Sequence, residues 1–170
     1  MLLKASFIFI ILFISIYLEV LCGSFGIIIP FTAFSIFYIS ITFSLKSGIF
    51  FGFIAGTVLD TLYGRTFLIS PFLMAAVTIL ADYWLHQGEP DSTLLHFLPG
   101  AAVTFIYVFP LMLFNILFND ITFSNSLNAF FALPAGALIL PFFVTFIDYT
   151  AYLTGLPEYK TAKKRALEES

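Results

Sequence analysis

Six long apolar segments, separated by short polar breaks, dominate the chain. They cover residues 5–21, 25–45, 47–62, 67–85, 94–118 and 127–153. Each segment is apolar on all sides instead of alternating between apolar and polar positions, which favours membrane helices over the strands of a membrane barrel. Because about 20 apolar residues cross the hydrocarbon core, the pattern predicts an all-α, polytopic integral membrane protein. About six transmembrane helices are expected to form one compact bundle over residues 1–157.

Composition and charge support this prediction and give it an orientation. The chain is 61% hydrophobic and 10% charged, whereas soluble proteins carry about 25% charged residues. Basic residues tend to stay on the cytoplasmic side, which predicts cytoplasmic N and C termini, with Lys4 and Lys46 on that side and Arg65 opposite. The tail, residues 158–170, is expected either to lie on anionic headgroups or to act only as a topology signal. Its basic residues are Lys160, Lys163, Lys164 and Arg165.

The third segment carries the most specific pattern, with a small or acidic residue at every fourth position. The series is Gly48, Gly52, Gly56, Asp60 and Gly64. Residues four apart lie on nearly the same helix face, so the series predicts a groove without side chains. Helices in lipid associate through close backbone approach and interhelical hydrogen bonds. The third helix is therefore expected to be the packing centre of the bundle.

Acidic residues within the apolar segments need partners. At mid-membrane a residue such as Asp60 costs about 2.5 to 3.5 kcal/mol. The orientation above places Glu19, Asp60 and Arg65 near the outer face, where Arg65 is expected to pair with one of the acids. Asp82 and Asp148 fall near the inner face, close to Lys46 and the basic tail. Structural pairing is the main interpretation of these acids, and an ion or proton pathway is the alternative.

The run Gly52-Phe53, Gly56, Asp60 and Gly64, preceded by Pro30 and Tyr38, resembles a family of bacterial membrane proteins. That family is MreD, a component of the rod-shape or elongation machinery, and the chain resembles a distant member over residues 30–76. The resemblance implies a non-enzymatic scaffold of the inner (cytoplasmic) membrane that binds the periplasmic protein MreC. It also implies that MreB filaments are coupled to peptidoglycan synthases, with RodZ as a further partner.

Two alternatives follow from the same residues. The glycine groove is expected either to receive a transmembrane helix of MreC at Gly52, Gly56 and Asp60, or to pack only within the chain. The MreD family is also thought to share its fold with the substrate-binding subunits of energy-coupling-factor vitamin transporters. Under that second function, an outward-facing pocket would use Glu19, Asp60, Arg65 and Tyr63 for recognition.

Catalysis is not expected from the sequence. His86 and His96 are the two histidines, they stand ten residues apart, and neither belongs to a recognisable catalytic or metal-binding motif. The lone Cys22 rules out an intrachain disulfide and a multi-cysteine metal site. The sequence therefore predicts no catalytic residue, no cofactor or metal site and no nucleic-acid partner.

Overall fold

The computed structural model describes residues 2–65, 67–86, 97–118 and 123–169. Over these ranges the regular secondary structure is helical throughout, which confirms the predicted all-α class for the described part of the chain. It contains seven helices: α1 Leu2–Ser24, α2 Phe31–Thr42, α3 Leu45–Leu62, α4 Ser70–Leu85, α5 Phe97–Phe118, α6 Phe123–Leu153 and α7 Tyr159–Glu169.

Within the described residues, four stretches of helix are long and apolar enough to cross a membrane. By length and composition they are Leu3–Ser24, Leu45–Leu62, Phe97–Phe114 and Phe130–Leu153. The outer surface of the protein is covered with large apolar side chains, among which Phe13, Phe72 and Phe142 are more than 70% exposed. Such a surface is unfavourable in water and is what lipid tails would cover. These features are those of a membrane protein.

The second apolar segment was predicted as one helix over residues 25–45, and that extent is wrong. Only Phe31–Thr42 is helical, which is 12 residues or about 18 Å. Gly26 has a φ of 76° in the turn after α1, and residues 27–30 form a connection without regular structure. Pro30 then precedes the helix, where its missing N–H and its effect on the preceding residue favour a non-helical entry. α4, with 16 residues, is also shorter than the segment that predicted it.

The packing centre is α2, not the third helix as the glycine series suggested. Every residue from Thr32 to Thr42 is buried, and α2 contacts α1, α3, α4, α5, α6 and α7. By contrast, α3 buries one face and leaves Phe50 and Phe53 exposed on another. Small residues let α3 approach its neighbours closely, but they do not require that it be surrounded on all sides.

The closest packing outside α3 joins α5 and α6 through two glycines that the sequence analysis did not single out. A Cβ placed on Gly136 would lie 1.9 Å from Oγ1 of Thr104, and one placed on Gly100 would lie 2.5 Å from the Gly136 carbonyl oxygen. A signal was present in the sequence, since Gly100 and Thr104, like Ala132 and Gly136, are pairs of small residues four positions apart.

Candidate functional site

The glycine face of α3 is filled by the protein itself. Gly48, Gly52 and Gly56 are buried, and they lie against α2 and α4. The closest approach to a neighbouring backbone is at Gly56, where an added Cβ would lie 2.5 Å from the backbone nitrogen of Pro71. At Gly48 an added Cβ would overlap Oγ of Ser40, and at Gly52 it would lie 3.1 Å from Cβ of Met74. Of the two interpretations of the groove, the structure shows internal packing, and another protein's helix cannot occupy this face without displacing α4.

Two residues of the α3 series lie away from that packed face. Phe53 is 54% exposed and points outward. Gly64 lies beyond the end of α3 with a φ of 63°, and nothing lies within 4 Å of an added Cβ. Its role as a packing residue is therefore corrected: the left-handed conformation, which favours glycine, ends the helix.

Asp60 is fully buried and all of its described partners are donors. Its Oδ2 accepts the Ser70 backbone N–H at 2.9 Å, and its Oδ1 accepts the Ser70 hydroxyl at 2.6 Å. Nη1 of Arg65 lies 2.9 Å from the same Oδ1 and also donates to the Ser70 hydroxyl oxygen at 2.8 Å. The Arg65 guanidinium stands 4.8 Å from the ring centroid of Tyr63. The buried charge is thus compensated by an ion pair and by hydrogen bonds.

Glu19 forms a second buried cluster, close to the first. Its Oε2 accepts the backbone N–H of Thr32 at 2.8 Å, and its Oε1 accepts the Tyr107 hydroxyl at 3.2 Å. The Tyr63 hydroxyl donates to the Glu19 carbonyl oxygen at 3.3 Å. Because Tyr63 also lies under the Arg65 guanidinium, one ring touches both clusters. Arg65 forms its ion pair with Asp60.

Asp148 joins three helices at the far end of α2. Its Oδ1 accepts the Tyr38 hydroxyl from α2 and the Tyr159 backbone N–H from α7, both at 2.8 Å. The Tyr159 hydroxyl oxygen in turn accepts a hydrogen bond from the Nε1–H of Trp84, in α4, at 3.2 Å. The sequence predicts that Asp148, like Asp82, lies near the inner face, where Lys46 or the basic tail could balance it. In the structure Asp148 accepts a backbone N–H from α7, the helix of the tail, and also binds α2. Asp82 is exposed.

One structural relationship is shared by the buried acids Glu19 and Asp60 and by the partly buried Asp148. Each lies near the C-terminal end of a long helix and accepts a backbone N–H from the first turn of the next helix in the relevant hairpin. N–H groups in a first helical turn lack partners within their own helix, and the helix dipole favours a negative charge there. Neither α2 nor α4 has a capping side chain of its own. The pairs are Glu19 with Thr32, Asp60 with Ser70, and Asp148 with Tyr159.

Each of these hairpins also turns through a glycine in the left-handed region. Gly26, Gly64 and Gly155 have φ values of 76°, 63° and 67°. The residue after each glycine donates its backbone N–H to a carbonyl five positions earlier, in the Schellman pattern that ends helices. These bonds are Ile27 to Cys22, Arg65 to Asp60, and Leu156 to Ala151, at 2.9 to 3.0 Å. The same glycine turn and carboxylate cap therefore occur three times.

The basic tail is a helix docked on the bundle, which corrects the expectation that all its basic residues face headgroups. Lys163 is 1% exposed, and its Nζ lies 5.1 Å from the ring centroid of Trp84. Burial lowers the pKa of Lys163 from its ordinary value of 10.5, because the charged form is desolvated. Lys160 and Lys164 are exposed. The side chain of Arg165 lies outside the described residues.

Two of the cavities formed by described residues lie beside α6, and both are lined mainly by apolar side chains. One, of about 70 Å³, lies between α5 and α6 near Thr104 and Phe130. The other, of about 200 Å³, lies between residues 26–29 and α6 near Ala132 and Ala135. Among the residues that the structure describes, no three His, Cys, Asp or Glu side chains are placed to hold a metal ion. His96 lies outside those residues.

Comparisons with known proteins give no match to this chain among protein-family models, curated proteins or solved structures.

Proposed function

We propose that this chain is a non-enzymatic scaffold of the bacterial cell-shape machinery, of the MreD type, in the inner membrane with both termini in the cytoplasm. In this function it binds an MreC-like protein and helps to couple MreB, RodZ and peptidoglycan synthases. The observation that carries the proposal is that three acids, Glu19, Asp60 and Asp148, each hold one helix to the next. Charges used in this way favour a rigid bundle that positions partners.

The proposal includes six membrane crossings by α1 to α6. Helix α2 alone covers about 18 Å, but residues 27–30 add about 13 Å if they are extended. The sum, about 31 Å, is close to the hydrocarbon thickness of about 30 Å. Helix α4 covers about 24 Å before residues 67–69 are added. These lengths support a compact bundle in which α2 and α4 cross together with the segments that precede them.

The residues that carry the MreD resemblance act together in the α3–α4 hairpin. Gly52 and Gly56 allow the two helices to approach, Asp60 caps α4, and Gly64 ends α3. Phe53 is the member of the run that points outward. The partner's transmembrane helix is therefore proposed to lie on the outward face of α3 that contains Phe53, and not in the glycine groove.

This outward face is mainly apolar. Thr57 and Thr61 also lie on it, and their hydroxyls donate to carbonyl oxygens of α3 itself. The large side chains of this face recur at helical spacing and are 39 to 60% exposed: Ile49, Phe50, Phe53, Ile54, Val58 and Leu62. A transmembrane helix packed on these residues would replace lipid contacts with protein contacts over several turns of α3. Because α3 is fixed to α4 by Asp60, the bound helix would be held in a defined position relative to the rest of the bundle.

Co-purification in detergent tests this proposal. The affinity-tagged chain is co-expressed with a candidate MreC-like protein from the same genome, and retention of the partner is measured after size-exclusion chromatography. The wild-type chain should retain the partner, and Phe53→Ala should reduce retention. Phe142→Ala is the matched control, since Phe142 is a similarly exposed phenylalanine on α6. No retention by the wild-type chain, or equal loss in both variants, would contradict the proposal.

A substrate-binding subunit of a vitamin transporter of the energy-coupling-factor type is the second candidate. The observation that favours it is the convergence of Glu19, Tyr107, Tyr63 and Arg65 near one end of α2. In addition, the buried Thr32 Oγ1 has no hydrogen-bond partner among the described residues. Mass spectrometry of the purified chain distinguishes the two functions. A vitamin bound by the wild-type chain and lost in Glu19→Gln would favour transport.

A further inference from the structure

Helix α2 is held at both ends by acids that belong to other helices. Glu19 of α1 accepts the Thr32 N–H at the start of α2, and Asp148 of α6 accepts the Tyr38 hydroxyl from its second half. The helix has 12 residues and is buried from Thr32 to Thr42. Close-packed interiors have low compressibility and transmit strain. A change at one end of α2 is therefore transmitted to the contact at the other end.

The contact at the second end is shared with α7. A single oxygen, Oδ1 of Asp148, accepts both the Tyr38 hydroxyl and the Tyr159 backbone N–H, each at 2.8 Å. Two donors on one carboxylate oxygen restrict its position from two directions. Movement of Tyr38 therefore changes the geometry of the bond that caps α7, and loss of the α7 cap changes the geometry at Tyr38.

Among the α7 side chains that the structure describes, residues 159–164 and 166, few are buried. The helix has 11 residues, and its described buried side chains are Tyr159 and Lys163. Burial of the Lys163 ammonium carries a desolvation penalty, which its position over the Trp84 ring offsets only in part. The hinge before α7 contains Gly155 in the left-handed region. Elements with few buried apolar contacts open locally at low free-energy cost.

We propose that α7 is a reversible latch, and that its docking is coupled through Asp148, Tyr38 and α2 to the Glu19 contact at the opposite end of α2. When α7 docks, its N–H fixes the Asp148 carboxylate, which fixes Tyr38 and the position of α2. When Glu19 releases Thr32, α2 shifts and the α7 cap weakens. Such coupling acts in both directions. The latch does not depend on which function the whole chain has.

Limited trypsin digestion of the full-length chain in detergent measures undocking of α7. Lys160 and Lys164 are exposed and Lys163 is buried, so cleavage after Lys163 reports the undocked helix. Glu19→Gln alters the far end of α2 without touching α7, and it should raise the rate of cleavage after Lys163 about fivefold or more. Tyr38→Phe should raise it as well. Asp82→Asn, which changes an exposed acid, should cleave at the wild-type rate.

Cleavage after Lys46 distinguishes coupling from general loosening. Lys46 is exposed at the start of α3, and its digestion should stay at the wild-type rate in Glu19→Gln. A parallel rise at Lys46 and Lys163 would overturn the latch, because it would show loss of the whole fold. A wild-type rate after Lys163 in Glu19→Gln would overturn the coupling, even if Tyr38→Phe accelerates cleavage. If Glu19→Gln is not recovered, Tyr107→Phe removes one hydrogen bond from Glu19, and the same outcomes apply.

Discussion

Asp60 and Ser70 are joined by two hydrogen bonds, one from the Ser70 backbone N–H at 2.9 Å and one from its hydroxyl at 2.6 Å. Ser70 is the first residue of α4, so this pair fixes where α4 begins relative to the end of α3. Arg65, in the connection between the two helices, binds both residues. The charged cluster thus determines the geometry of the α3–α4 hairpin. The glycine face of α3 lets α4 pack closely against it.

The glycine face gives a graded prediction for stability. Gly56→Ala places a Cβ 2.5 Å from the backbone nitrogen of Pro71, and backbone cannot move away as a side chain can. We expect a loss of about 1 to 3 kcal/mol in the free energy of unfolding, as for other overpacked sites. Gly52→Ala, where the nearest atom is 3.1 Å away in the Met74 side chain, should lose less. Thermal unfolding in detergent measures both, and equal stability of Gly56→Ala and wild type would contradict the packing.

A second packing prediction concerns α5 and α6. Gly136→Ala should destabilise the protein, because the new Cβ would lie 1.9 Å from Oγ1 of Thr104. Adding Thr104→Ala should recover part of the loss, since it removes the atom that is closest to the new methyl group. A double-mutant cycle of melting temperatures gives the interaction between the two sites. Strictly additive effects of the two substitutions would show that α5 and α6 do not meet at this point.

Docking of α7 should strengthen as pH rises, reach a maximum, and then weaken. Burial lowers the pKa of Lys163 from 10.5, so the docked state binds fewer protons there, and docking strengthens as pH rises towards 10.5. Burial, as the largest cause, raises the pKa of Tyr159 from 10.0 to about 12, so docking weakens between pH 10 and 12 as the undocked tyrosine ionises. Trp84, the only tryptophan, contacts both residues, and its fluorescence measures docking.

Two substitutions test the rising part and the falling part of this pH profile separately. Lys163→Met keeps a long apolar side chain over Trp84 and should remove the rise of docking with pH. Tyr159→Phe keeps the ring and the backbone N–H that binds Asp148, and it should remove the alkaline fall that comes from ionisation of the phenol. A pH profile that is the same in wild type and both variants would show that neither residue controls docking.

Local patterns predicted several of these features. Long uninterrupted runs of apolar residues indicated helices. The four-residue spacing of Gly48, Gly52 and Gly56 indicated the face on which helices approach closely. The charge of Asp60 required a partner, and Arg65 stands five residues away. Each of these inferences relies on residues that are near one another in sequence, where helical geometry alone fixes which side chains meet.

The remaining features depend on tertiary contacts. Hydropathy is as high over residues 25–30 as in α2, so only Gly26 and Pro30 signalled that the helix begins late. Glu19 and Asp148 are each followed by a glycine seven residues later, but capping of another helix leaves no periodic pattern. Burial of Lys163 depends on Trp84, a distant residue in sequence, and a run of basic residues alone indicates a solvated tail.

The central claim is that the acids that cap neighbouring helices hold the bundle together, and comparison of Asp60→Asn with Asp82→Asn in thermal unfolding tests it most directly. Asp60 is fully buried and bound to Arg65 and Ser70, whereas Asp82 is exposed. Asp60→Asn should lose about 2 to 4 kcal/mol in the free energy of unfolding, because it leaves Arg65 without its buried counter-charge. Asp82→Asn should unfold like the wild type. An Asp60→Asn protein as stable as the wild type would contradict the account.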